Sequence, residues 1–207
     1  MKKLLLIVFV LISISLFAED EVLFSGDVSY GGYGAPIVGF TGFDDDMHVL
    51  VGGRGGFIIN NTIAIGGGGF GKATEHERTN LPMYPDSIWD INMGAGGLFL
   101  EYIWGSDRLL HMTFDASFYW GGISYNFDFD WDLDDDEEEY EYIEENAIVD
   151  AFFMIEPGAN IEINMFEWMR LNAGAHYRIM TGIDKMGYEN SDFSGLNISL
   201  MAKFGSF

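Results

Sequence analysis

Residues 109–124 read Leu-Leu-His-Met-Thr-Phe-Asp-Ala-Ser-Phe-Tyr-Trp-Gly-Gly-Ile-Ser. Taking every second residue gives Leu110, Met112, Phe114, Ala116, Phe118 and Trp120 on one side. His111, Thr113, Asp115, Ser117 and Tyr119 fall on the other. Successive side chains of an extended chain point to opposite faces, so a period of two over this length is a β-strand with one apolar and one polar face. An apolar face this long must be covered by a core or by lipid, and its flanks point to lipid.

Seven further strand regions follow from the same period and from turn residues between them: 26–43, 47–59, 62–72, 88–104, 147–165, 170–181 and 195–207. Asn60-Asn61 is a tight turn of the kind that accepts positive φ. Residues 105–107 and 166–168 are equally short connections. The others, at 73–87, 126–146 and 182–194, are long and polar, and 43–46 is a modest acidic turn. Pro157-Gly158 marks a bulge or kink in the sixth strand. The glycine run Gly66 to Gly69 has no following Lys-Ser/Thr and no helix to open, so it reads as curvature and packing space rather than a phosphate loop.

Short turns on one side and long loops on the other, with an even strand number, is the pattern of an outer-membrane barrel. Closure leaves no unpaired edge in lipid. Strands of about 9–11 residues suffice for a tilted span. Trp89, Tyr102, Trp104, Tyr119, Trp120, Trp168 and Tyr177 lie near strand ends and suggest interfacial girdles. The expected fold is all-β: a single eight-stranded antiparallel up-and-down barrel of transmembrane type. One feature runs against the usual pattern. The apolar series Ile198, Leu200, Ala202, Phe204 is out of phase with the terminal Phe207, which a bulge at Gly205 would reset.

The N-terminus is a separate device. Lys2 and Lys3 precede an apolar run that ends at Ala18, and acids begin at Glu19. This is the pattern of a secretory signal peptide over 1–18, leaving a barrel domain over 19–207. Loss of that leader removes two lysines and leaves 8 basic against 33 acidic side chains, a formal charge of −25. Such a surface repels nucleic acid and attracts divalent cations or basic partners. The absence of cysteine excludes a disulfide scaffold, thiol catalysis and Cys-ligated zinc.

The chain resembles a group of small, uncharacterised bacterial outer-membrane β-barrel-like proteins. The resemblance is carried by Leu50-Val51-Gly52-Gly53-Arg54-Gly55-Gly56-Phe57-Ile58-Ile59-Asn60, by Asp150-Ala151-Phe152-Phe153-Met154-Ile155-Glu156-Pro157-Gly158-Ala159-Asn160, and by the closing Lys203-Phe204-Gly205-Ser206-Phe207. It implies a barrel-like fold and an outer-membrane setting. It brings no activity and no catalytic residues.

Candidate functional residues fall into two groups. Arg54, His111, Asp115, Arg170, His176 and Arg178 take the polar strand faces and form an expected lumen network. Lys203 and the acids Asp150, Glu156 and Glu162 also lie on strands. The interior of an eight-stranded barrel is just filled by side chains, and buried charges must pair. His111, Asp115 and His176 could in principle serve acid–base chemistry. No His-Glu-x-x-His and no Gly-x-Ser-x-Gly motif accompanies them, so satisfied interior groups are the plainer expectation. The second group is the acidic connection 126–146, where Asp128, Asp130, Asp132 and Asp134 alternate. Oxygen clusters suit calcium, yet like-charge runs are usually solvated loops. Weak divalent-cation binding there is the expectation, with no dedicated cofactor. The sequence therefore points to a monomeric, non-enzymatic outer-membrane barrel with a structural or surface-interaction role. Open alternatives are a barrel binding a small or lipid ligand, an enzyme with residues at the loop rim, and a secreted soluble β-protein.

Overall fold

The computed structural model describes residues 28–43, 46–74, 77–81, 84–128 and 148–207. The leader at 1–18, the boundary after Ala18 and the acids from 129 to 147 lie outside the described residues. The elements are β1 (Tyr30–Phe43), β2 (Asp46–Ile59), β3 (Ile63–Lys72), β4 (Glu77–Leu81), β5 (Tyr84–Trp104), β6 (Leu110–Asp128), β7 (Ile148–Phe166), β8 (Met169–Thr181), a single helical turn α1 (Asn190–Phe193), and β9 (Gly195–Ser206).

Neighbouring strands pair antiparallel in the order β3-β2-β1-β9-β8-β7-β6-β5, and β3 pairs with β5 to close the ring. β4 pairs with β5 alone and continues the line of β3. Gly71 stands opposite Gly94 and Glu77 opposite Asp90. The barrel therefore has eight walls. The polar loop expected over 73–87 is instead largely a hairpin extension: β4 carries no apolar alternation, and β5 begins at Tyr84.

The short connections gather at one end of the barrel and the long ones at the other. In the first turn, Thr62 N–H donates to the Ile59 carbonyl (3.1 Å), and Asn60 and Asn61 both sit at φ 51°. Asparagine tolerates this left-handed conformation better than most residues. The glycine-rich strands earn their composition at the inner face. A Cβ on Gly66 would lie 2.1 Å from the Gly55 carbonyl oxygen, and one on Gly97 would lie 1.9 Å from that of Phe118. The strands there bend tightly enough that only glycine fits.

Two expectations about irregularity are corrected. β7 runs in unbroken register against β6 through Ala116↔Pro157 and Asp115↔Gly158, so Pro157 makes no bulge. The register shift in β7 falls between Asn164 and Phe166. β9 also needs no bulge at Gly205. Its pairing with β1 keeps one register from Ile37↔Met201 to Gly32↔Ser206. The terminal ring of Phe207 instead turns inward. It stacks on Tyr33 (6.3 Å between centroids) and lies under the Arg170 guanidinium (4.0 Å).

Inside and outside are cleanly divided. On β8, Leu171, Ala173, Ala175, Tyr177 and Ile179 are exposed, while Arg170, Asn172, Gly174, His176, Arg178 and Met180 are buried. Tyr102, Trp104, Trp120, Trp168 and Tyr177 face outward, about half exposed. Trp89 and Tyr119 do not join them, and this corrects the expected girdle. Both are lumenal, Tyr119 packing edge-on against Phe70 (5.4 Å). On β5 the apolar stripe Trp89, Ile91 and Met93 alternates with Asp90 and Asn92, yet it is this apolar stripe that faces inward at the loop end.

Apolar side chains close each end of the lumen. Tyr33, Ile58, Ala64, Phe99, Ile103 and Phe207 pack together towards the short turns. A larger cluster fills the loop end, where the β8–β9 connection folds inward and buries Ile183, Met186, Tyr188 and Phe193. Burying that much apolar surface, at roughly 25 cal/mol per Å², favours keeping the connection in the barrel mouth.

Candidate functional site

The candidate site is the polar lumen. Period-two alternation on β2, β5, β6, β7, β8 and β9 brings charged side chains from six walls into one interior. Arg54 on β2 donates from Nη1 to Asp115 Oδ2 (2.5 Å) and from Nη2 to Glu101 Oε2 (3.4 Å). Lys203 on β9 donates to Glu101 Oε1 (2.5 Å) and lies 2.6 Å from Glu162 Oε2. Glu162 also accepts from Arg170 Nη1 (3.2 Å) and Asn172 Nδ2 (3.1 Å), with His111 Nε2 3.1 Å from its Oε1. Asp115 Oδ1 accepts from Asn160 Nδ2 (3.1 Å), and His176 Nε2 lies 3.2 Å from it. Tyr33 donates its hydroxyl to Glu101 (2.7 Å).

These contacts form one continuous chain: His176, Asp115, Arg54, Glu101, Lys203, Glu162, then Arg170 and His111. Three carboxylates meet three Arg or Lys side chains. Desolvating charge is costly unless each ion is paired and its remaining lone pairs and protons are bonded, and this arrangement meets that condition for Glu162 with four partners. Aromatic faces complete the cationic groups. Arg54 lies 4.6 Å over the Phe99 ring and Lys203 4.7 Å over the Tyr33 ring.

Space for the network comes from glycine. A Cβ on Gly158 would lie 1.8 Å from His176 Cδ2, and one on Gly174 would lie 1.9 Å from Asn160 Oδ1. The imidazole and the carboxamide occupy the volume those side chains would take.

Of the six residues expected in the lumen, Arg54, His111, Asp115, Arg170 and His176 are linked by these contacts. Arg178 is fully buried yet stands apart from them. Its Nε donates to the Phe193 carbonyl (2.8 Å) and its Nη2 to Thr41 Oγ1 (2.8 Å), tying the inturned connection to β1. His111 bonds to Glu162 and not to Asp115, so the three acid–base candidates divide into two pairs. Of Asp128 only the backbone is described, at the end of β6. Asp130, Asp132 and Asp134 lie outside the described residues.

Glu101 is the residue that sequence reasoning missed. It sits in an otherwise apolar stretch between Leu100 and Tyr102. A charge there has to face the lumen once the outside is apolar, and that signal was available.

One line of groups resembles nucleophilic machinery. Ser199 Oγ lies 3.5 Å from His176 Nδ1, and His176 Nε2 lies 3.2 Å from Asp115. All three border a lumen cavity of about 50 Å³. Each water needs roughly 10–15 Å³ of such space, so the cavity holds a few waters. An acyl substrate does not fit beside Ser199.

No family model matches the chain, and no curated protein sequence matches it. Solved structures share its architecture. Neisserial surface protein A matches over 86% of this chain and 99% of its own, with a TM-score of 0.56 and 9% sequence identity. Ail, the attachment invasion locus protein of Yersinia pestis, matches over 88% of this chain and 99% of its own, with a TM-score of 0.47 and 10% identity. Ail in complex with the heparin analogue sucrose octasulfate gives a TM-score of 0.46. The likeness to the Neisserial protein is one of fold: a closed eight-stranded antiparallel barrel.

Proposed function

We propose that this chain is a monomeric outer-membrane barrel with a structural or surface-interaction role, not a channel and not an enzyme. The observation that carries this reading is the division of chemistry across the wall. The outward face exposes large apolar side chains all round the ring, among them Phe57, Leu98, Leu100, Phe114, Ile161 and Leu200. The ion pairs are kept inside. In water such a surface far exceeds the few hundred Å² of contiguous apolar patch that soluble monomers expose; in lipid it is the expected face of a barrel.

The filled lumen argues against conduction. Ion pairs from opposite walls cross it, and apolar clusters cap both ends. Its cavity of about 50 Å³ is also well below the roughly 300–1,000 Å³ of a small-molecule pocket, which disfavours a ligand-carrying barrel. The surface role is assigned to the long-loop end. Its acidic sequence between 126 and 146 suits divalent cations or a basic partner, bound weakly.

Planar-bilayer recording of the refolded chain tests the closed lumen. A silent bilayer is expected at protein densities where a general porin gives stepwise current. Regular conductance steps of uniform size would overturn the reading.

A further inference from the structure

The wall made by β3 and β5 does not stop at the barrel rim. β2 begins at Asp46, and its Val49 carbonyl accepts from the Ala73 N–H (2.8 Å). Beyond that level β4 runs on against β5 alone, from Glu77↔Asp90 to Leu81↔Tyr84. On its other side β5 pairs with β6 as far as Ile88↔Asp128, whereas β7 joins β6 only from Ile148↔Tyr125. β4, the start of β5 and the end of β6 thus make a small three-stranded blade that stands past the walls on either side.

The blade lies outside the lipid. β5 has 21 residues, about twice the 9–11 that a tilted span needs. Its outward positions are apolar at Leu98, Leu100, Tyr102 and Trp104 and turn polar at Asn92 and Asp90. Asn92 Nδ2 donates to Asp90 Oδ2 (2.5 Å), and the pair is exposed. Glu77 stands opposite Asp90, and the rest of β4 lies farther from the apolar band.

One edge of the blade is open. Among the described residues, no strand but β5 pairs with β4. The ladder fixes where each backbone group points. Ile103 donates its N–H to the Thr62 carbonyl (2.6 Å), so β5 residues in phase with Ile103 turn N–H and C=O towards β3 and β4. Trp89 is in that phase, and the pairing of β5 with β6 keeps one register between the two. Its partner Arg78 therefore bonds β5, while Glu77 and Thr79 turn their N–H and C=O away. An open row of this kind is a template for an added strand.

Charge selects the partner. The chain carries 33 acidic against 10 Lys and Arg side chains. Residues 77–90 hold Arg78 against Glu77, Asp86 and Asp90, and β6 leads from Asp128 into the acidic run that follows. An acidic strand is repelled here, and a second copy of this chain carries the same charge. A basic strand is attracted and steered to the edge.

We propose that the free edge of β4 docks an extended, lysine- or arginine-rich segment of another polypeptide as an added strand. The proposal rests on the surface role given above and supplies its contact and its class of partner.

Thr79→Pro is the discriminating variant. It removes the outward N–H and leaves the Arg78 bonds to β5, which is the kind of edge position that proline accepts. Its unboiled gel band should match the wild type. The probe is a short peptide of alternating lysine and threonine, added to the detergent-folded barrel. Binding should weaken about tenfold in Thr79→Pro, the worth of about one backbone hydrogen bond. The matching glutamate–threonine peptide should not bind. Amide exchange on the wild type needs no variant: the basic peptide should slow exchange at Glu77 and Thr79 and leave Arg78 unchanged. Equal binding by wild type and Thr79→Pro, without that alternation, would overturn the edge site while the acidic surface role stands. Equal binding of both peptides would overturn the basic partner. No binding by the wild type would overturn the docking site itself; the barrel reading is tested separately by the bilayer recording.

Discussion

Lys203 on β9 reaches across the barrel to Glu101 on β5, with 2.5 Å between Nζ and Oε1. Three strands separate these walls in one direction round the ring, so the pair ties together elements far apart in sequence and in the sheet. Removing only the cation strands buried charge. Lys203→Met is expected to destabilise the barrel by about 3 kcal/mol, because breaking one side of a buried pair typically costs about 3–5 kcal/mol, and Arg54 still serves Glu101. The double variant Lys203→Met with Glu101→Gln should recover part of the loss. Urea unfolding of the barrel in lipid vesicles reads both.

Gly158 and His176 share one volume, since a Cβ on the first would lie 1.8 Å from a ring carbon of the second. Gly158→Ala is expected to push the imidazole away from Asp115 and to cost about 1–3 kcal/mol, the usual penalty for overpacking. Combining it with His176→Ala should relieve the clash. Additive losses in that cycle would show that the glycine has another role.

Leu100 faces outward on β5, between the level of the outward Trp104 near the short turns and that of Trp120, which stands opposite Gly96, and is half exposed. Leu100→Arg should cost about 2–4 kcal/mol in a bilayer, the range for a cation at the midplane of a barrel. The same change at Leu196, at the loop-end start of β9, should cost about 0–1 kcal/mol. Equal and negligible effects at both sites would mean that water, not lipid, meets this face.

Phe193 is completely buried between Phe43 (5.1 Å) and Tyr188 (5.3 Å). Phe193→Ala should loosen the β8–β9 connection, with a loss of about 3–5 kcal/mol in the local packing that holds it. Limited proteolysis is the check. Cleavage between 182 and 194 should become faster, while the barrel walls, held by β8 pairing with both β7 and β9, stay intact.

Much of this architecture was legible because lipid-type barrels impose a period on the chain. Leu110 to Trp120 gives away β6 outright, and β8 and β9 repeat it on Leu171 to Ile179 and Ile198 to Phe204. A clear period does not by itself say which face is inside. Trp89, Ile91 and Met93 alternate with Asp90, Asn92 and Gly94 and read as an outward apolar stripe, and only the closed ring shows that they fill the lumen beneath the loops. β4 was invisible for the opposite reason: five residues with no apolar stripe are held by pairing with one neighbour. The inward turn of Phe207 was visible as a phase error but not as a solution, because its partners Tyr33 and Arg170 lie far away in sequence. The network followed the same rule. Alternation places Arg54 and Asp115 on inner faces, yet which cation meets which acid depends on barrel closure. His111 thus ends on Glu162 and not on Asp115.

The most direct test of a closed, lipid-embedded barrel is cell fractionation combined with gel mobility before and after boiling. Recovery in the outer membrane is expected, with an unboiled band that migrates differently from the boiled one because the hydrogen-bonded ring resists detergent. Recovery in the soluble periplasmic fraction, with one mobility under both conditions, would contradict the membrane assignment and leave the apolar outer face without its solvent.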